Sequence, residues 1–155
     1  MPGLRKVLPA LKKAGLLLGI VSNAQFFTPL VLAAFAETGW SRGLFNKSLC
    51  AWSYQYGEAK PSSSRMLAAL LHRLSHRYGI QASETLIIGN DLRNDILPAS
   101  QWGCATALFA GDARSLRWRR GDPDCRGIMP DLVLTQMIQL LTAIGVAPQK
   151  TSILS

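Results

Sequence analysis

Apolar residues along this chain follow two rhythms, and the alternation between them outlines the fold. Leu4, Val7, Leu8 and Leu11 fall at i, i+3, i+4 and i+7 with basic residues between them, the pattern of an amphipathic helix. Gly15 supplies its stop. Residues 16–21 are wholly apolar, as in a short strand covered on both faces, and Ser22-Asn23 ends the run abruptly. Residues 26–38 read as a helix with Pro29 in its first turn and Gly39 as its close. A second strand is predicted at 48–52, followed by a polar loop at 54–61.

Ser62, Ser63 and Ser64 then cap a long helix that carries Met66, Leu67, Leu70, Leu71 and Leu74 on one stripe and ends at Gly79. The third strand, 85–88, breaks at Gly89-Asn90-Asp91, and a helix runs near 96–102. A fourth strand at 105–109, an Arg-rich loop to about Met129, a short run at 132–134 and a helix at 135–143 complete the pattern. Short apolar strands alternating with helices, without hairpin signals, predict parallel βαβ units. In such sheets the loops at the carboxyl ends of the strands bind ligands.

Composition narrows the class. The chain has 155 residues, 48% of them hydrophobic and 17% charged, which fits one globular domain and excludes disorder, collagen and coiled coil. No apolar run approaches the ~20 residues a membrane helix needs. Arg5, Lys6, Lys12 and Lys13 near the first apolar run superficially imitate a secretory signal, but the helical periodicity outweighs that reading. Three cysteines without close spacing suggest neither disulfides nor zinc, so a reducing, cytoplasmic setting is expected. The net charge of +8 points to an anionic partner without choosing one.

Three loops carry candidate chemistry. Ser22 and Asn23 follow a buried strand and precede a helix, where a hydroxyl and backbone N–H groups can hold a phosphate; an ordinary strand-to-helix turn is the plainer alternative. Lys60, locked before Pro61 and a helix start, can neutralise phosphoryl charge, or be a surface lysine in a turn. Asp91 and Asp95, four apart after an apolar strand, can share Mg²⁺, or divide the work so that one binds metal and the other orients a lysine. Capping of the next helix by Asp91 is the plainer alternative.

In order and spacing these loops resemble the haloacid dehalogenase-like (HAD) hydrolase superfamily, most of whose members are Mg²⁺-dependent phosphatases. Val21-Ser22-Asn23 is similar to the motif whose hydroxyl binds the transferring phosphoryl group, Lys60-Pro61 to the lysine motif, and Asp91 to Asp95 to the acidic metal loop. Pro2-Gly3 is similar to the hinge by which capped members re-enter the core. The resemblance implies a three-layer, Rossmann-like α/β fold with a mostly parallel sheet. It also implies catalytic roles for Ser22 and Lys60, phosphate contacts from Ser22, Asn23, Lys60 and Asn94, and Mg²⁺ on Asp91 and Asp95.

One motif departs. The family's first motif is a strand ending in Asp-x-Asp, whose first Asp is the nucleophile. The one Asp-x-Asp here, Asp122-Pro123-Asp124, follows Trp118-Arg119-Arg120-Gly121 and stands at the wrong end of the order, so it is rejected as the nucleophile. The expectation is a partial core over 1–145, lacking its amino-terminal central strand and cap, with a tail at 146–155. Such a chain would be inactive or unstable alone, and self-association through the missing strand is expected. The complete protein would hydrolyse a phosphorylated small molecule, with no membrane partner.

The alternative is a non-catalytic phosphate sensor, or a nucleic-acid module using Arg114, Arg117, Arg119, Arg120 and Arg126 around Trp118; a solvated or substrate-facing loop is the favoured reading of that segment. His72 and His76, at i and i+4 without a third ligand, read as an exposed helix face. Trp40, Trp52 and Trp102 are expected at element ends.

Overall fold

Among the described residues five short strands form two parallel sheets that are not hydrogen-bonded to each other, and helices bridge them on both faces. The computed structural model describes residues 3–37, 43–61 and 64–147. Pro2, Gly39, Trp40, the cap residues Ser62 and Ser63, and 148–155 lie outside the described residues.

The elements are α1 (Leu4–Lys13), β1 (Leu18–Ser22), α2 (Thr28–Glu37), β2 (Phe45–Trp52), α3 (Ser53–Tyr56), α4 (Ser64–Tyr78), β3 (Leu86–Gly89), α5 (Leu97–Gln101), β4 (Ala105–Phe109), β5 (Leu132–Leu134) and α6 (Gln139–Ala143). One sheet pairs β1 with β2, and the other has the order β3-β4-β5, with every pairing parallel. No helix among the described residues is long and apolar enough to cross a membrane.

The helical stripes explain the layers. Val7, Leu8 and Leu11 of α1 pack with Leu140 and Leu141 of α6 against Ala107, Phe109 and Leu134 on one sheet face. On the other, Leu67, Leu70, Leu71 and Leu74 of α4 pack with Leu49, Ala99 and Cys104. Each Val, Leu or Phe side chain here contributes roughly 1.5–3 kcal/mol on leaving water. Because both helical layers span both sheets, the three-layer α/β fold holds although the sheet is divided.

Several boundaries differ from the expectation: β1 covers 18–22 rather than 16–21, α2 begins at Thr28 rather than 26, α6 begins at Gln139 rather than 135, and two further differences have a visible reason. The second strand starts at Phe45 rather than 48, because polar Asn46 and Lys47 belong to an irregularity that shifts the register from Leu18↔Phe45 to Ile20↔Cys50. The Asn46 carboxamide holds it, accepting from Ser48 N at 3.0 Å and Ser48 Oγ at 2.8 Å while donating to the Tyr78 hydroxyl at 2.6 Å. Opposite lies Gly19, where any Cβ would collide with the Leu49 carbonyl. The loop predicted at 54–61 begins instead with the single turn of α3, closed by Gly57 at φ 66°.

Between β1 and β3 lies a cleft of about 240 Å³. Val21 of β1, Ile87 of β3, Leu11 of α1 and Leu70 of α4 line its apolar body, and Lys60 and Asp95 line it as well. Both strands therefore turn toward this space an edge that has no strand neighbour among the described residues.

Candidate functional site

The site is built where β1 and β3 end. Ser22 is the last residue of β1, half-buried and in register with Trp52. Just beyond it, Asn23 clasps the segment that follows β2 and α3: its Nδ2 donates to the Lys60 carbonyl at 3.0 Å, and its Oδ1 accepts from the Lys60 N–H at 2.7 Å. Ser53 does the same for the following residue, its Oγ accepting from Ala24 N at 2.9 Å and donating to Ala24 O at 3.1 Å. Two polar side chains thus bind the β1 loop to the segment after β2.

Lys60 is consequently fixed at both ends. Its Nζ donates to the Val21 carbonyl at 3.1 Å and to Asp95 Oδ1 at 2.5 Å, with side-chain exposures of 16% and 10% for the two partners. The other oxygen of Asp95 accepts from the backbone N–H of Asn90 and of Asp91, each at 3.1 Å. Asp95 can reach under that loop because residue 89 is glycine; a Cβ there would overlap the Asp95 side chain. A single π-helical turn, Leu92–Ile96, follows Asp91 where the sequence predicts a loop, and α5 begins at Leu97, within one residue of its predicted start.

Asp91 is 7% exposed and serves as the N-cap of that turn, its Oδ1 accepting from the N–H groups of Arg93 at 3.0 Å and Asn94 at 3.2 Å. Its Oδ2 accepts from Asn94 Nδ2 at 3.0 Å. Arg119 then closes on the carboxylate with both edges of its guanidinium, Nε to Oδ1 at 3.0 Å and Nη2 to Oδ2 at 2.6 Å. Burial pushes the Asp91 carboxyl up, but the Arg119 hydrogen bonds and charge with the two amides outweigh it and hold it below the ordinary value.

The Arg-rich segment is folded onto the acidic loop. Leu92 N donates to Arg117 O at 2.9 Å and Arg117 N to Asn90 O at 2.8 Å, making a parallel bridge between Asp91 and Arg117. Leu116, Trp118 and Ile128 pack on Leu92, Ile96, Leu108 and Cys125 beneath it. Arg93 pairs with Asp122 at 3.4 Å and Asp124 at 2.8 Å, which places the Asp-x-Asp of this chain on the flap rather than after a strand.

Lys60, Asn94 and Asp95 thus line one cleft, Asn23 holds the Lys60 backbone, Ser22 follows the Val21 whose carbonyl receives the Lys60 ammonium, and Asn94 is tied to Asp91. Both asparagines use part of their side-chain amide on protein partners. Mg²⁺ does not fit Asp91 as it stands: five N–H donors already converge on a carboxylate with about four lone-pair directions. Asp95 is filled by Lys60 and two amides. Among the described residues no three His, Cys, Asp or Glu side chains group as metal ligands, and His72 and His76 lie exposed with stacked rings.

Sequence reasoning missed Ser53, and it named Arg119 only as one of the Arg-rich loop's cations, not as the partner of Asp91. The serine carries no signal beyond its place after a strand. For Arg119 the available signal was the buried carboxylate itself, which had to find a cation somewhere in the chain.

No family model matches the sequence, and neither does any curated protein. Solved structures do match the fold. A HAD phosphatase from Thermococcus onnurineus superposes with a TM-score of 0.71 at 19% identity, over 96% of this chain and 60% of that one. A protein described as a HAD hydrolase, YfnB of Bacillus subtilis in a magnesium-bound form, gives 0.71 at 20% identity over 94% and 56%. A 2-haloacid dehalogenase from Pseudomonas syringae pv. Tomato gives 0.62 at 22% identity over 94% and 53%. The chain spans little more than half the length of these proteins, and along that span its fold is the fold of the HAD hydrolases.

Proposed function

We propose that this chain is the phosphoryl-binding portion of a HAD-like hydrolase that cleaves phosphomonoesters, and that the nucleophilic carboxylate enters the cleft on an extended segment outside the described residues. The observation that carries this reading is the seat of Lys60. A primary ammonium, mostly buried and clamped between the Val21 carbonyl and Asp95 where two parallel strands end, is a fixed positive charge at the position where such sheets bind ligands.

Around it, the Ser22 hydroxyl donates to one phosphoryl oxygen and the Lys60 ammonium neutralises another. Asn23 sets the height of the Lys60 loop, and the second N–H of its amide and of Asn94 completes the polar rim. Asp95 holds the Lys60 ammonium in place. The cleft between the apolar edges of β1 and β3 suits a parallel strand ending at this rim, which would deliver its carboxylate beside the phosphorus. Left without such a strand, the two edges favour self-association. Mg²⁺, typical of the family, would supply charge neutralisation on the transferring group if it reached Asp91.

Titration of the chain with inorganic phosphate, followed by calorimetry and ³¹P line broadening, tests the site without needing the nucleophile. Binding is expected to weaken about tenfold in Ser22→Ala and more in Lys60→Ala, since a hydrogen bond to a charged group contributes roughly 1.5–3 kcal/mol. Phosphate that binds all three proteins equally would overturn the assignment. Hydrolysis of an aryl phosphate by the 155-residue chain itself would overturn the placement of the nucleophile elsewhere.

A further inference from the structure

We infer that Arg119 is a protein-supplied cation that stands in the place of a divalent metal ion at Asp91, so that the arginine and a metal are mutually exclusive occupants of this carboxylate. Three independent observations carry the inference.

The first is occupancy. Arg119 meets both oxygens of Asp91 in a bidentate fork while three other N–H donors take the remaining lone pairs, leaving no coordination face open. The second is backbone conformation. Arg119 adopts φ 55°, and it is the one non-glycine residue in the left-handed region among the described residues. That conformation costs an arginine about 1 kcal/mol or more and is held on one side by the turn in which the Arg119 carbonyl accepts from Asp122 N at 2.9 Å and on the other by the seat of its side chain on Asp91. The third is how the arginine is delivered. The segment bearing it is tied to the acidic loop by the Arg117 bridge, by Asn90 Nδ2 donating to Ser115 O at 2.5 Å, and by the packing of Leu116 and Trp118. A surface salt bridge needs none of this; a built counter-charge does.

The consequence concerns both the metal and the flap. Removing the guanidinium leaves a 7% exposed carboxylate short of a cation, a vacancy that a hard divalent ion with oxygen preference can take. With the guanidinium in place, the ion must first lift Arg119 and whatever part of its segment follows. Because neither Ser22 nor Lys60 enters this reasoning, it stands or falls separately from the phosphatase reading.

The test is calorimetric titration of the full chain with MgCl2 alone, comparing wild type, Arg119→Gln, Arg119→Lys and the double variant Asp91→Asn with Arg119→Gln. Arg119→Gln is expected to bind Mg²⁺ about tenfold or more tighter than wild type and to gain melting temperature on its addition, as any ligand of the native state produces. Arg119→Lys keeps a cation and stays close to wild type, and Asp91→Asn abolishes the gain. Equal Mg²⁺ affinity in wild type and Arg119→Gln, or tight binding that survives Asp91→Asn, overturns the inference. Should Arg119→Gln fail to fold with or without metal, the ¹⁵Nε–H resonance of Arg119 in the wild-type chain decides. Its movement in step with Mg²⁺ binding, or the failure of millimolar Mg²⁺ to bind at all, supports exclusion; Mg²⁺ bound while that resonance stays fixed refutes it.

Discussion

Asp95→Ala is expected to cost on the order of 3 kcal/mol of folding stability, a large share of the roughly 5–15 kcal/mol a domain has. The substitution removes one side chain but disturbs three groups. The Lys60 ammonium, 16% exposed, is left with the Val21 carbonyl as its remaining partner, and the N–H groups of Asn90 and Asp91 lose their acceptor. Burying an unpaired charge costs more than the pair gave, so the companion double variant is the informative control. Lys60→Met with Asp95→Leu removes both charges and should recover a good part of the loss, although the two amides stay unsatisfied. Urea unfolding of the chain measures all of these, with Asp95→Asn falling between because its carboxamide oxygen still accepts from the loop. A wild-type midpoint for Asp95→Ala would mean that water solvates Lys60 and that the clamp has little structural weight.

The second large effect lies in catalysis. In the complete hydrolase, Lys60→Ala is expected to lower kcat by about 10²–10³, the usual cost of removing one preorganised donor from a site of developing charge. The loss should fall on kcat more than on KM if the ammonium meets charge that grows in the transition state. Lys60→Arg should rescue poorly, because the seat between Val21 O and Asp95 Oδ1 is shaped for a compact point charge rather than a planar fork. A steady-state comparison on an aryl phosphate gives the answer. Unchanged kcat in Lys60→Ala would leave Lys60 a purely structural residue and remove the main support for the proposed chemistry.

Much of the fold was legible because the strands here are unusually plain. Residues 16–21, 85–88 and 105–109 are apolar runs ended by glycine or polar residues, and the stripe from Met66 to Leu74 is buried along its length. The start of β2 was hidden, because its register shift is held by Asn46, a residue that ordinarily marks a turn. The division of the sheet follows from the motif order read in sequence. At the site, the three loops were visible as motifs, whereas the arrangement of their contacts was not. Which carboxylate meets Lys60 depends on a π-helical turn and on the space left by Gly89, neither of which has a periodic signature. Arg119 lay in a segment without apolar periodicity, where one arginine among five looks like the next; only three-dimensional proximity to Asp91 singles it out.

The division between β1 and β3 also sets how local stability is distributed. β4 has a hydrogen-bonded neighbour on each side, while β1 and β3 each have a strand on one side alone. Amide hydrogen exchange should therefore be slowest along Ala105–Phe109 and faster along the cleft-facing edges of Leu18–Ser22 and Leu86–Gly89, where opening requires side chains to part but no ladder to break. A strand seated between them would close that difference, so exchange at these two edges reports directly, residue by residue, on whether the cleft is filled.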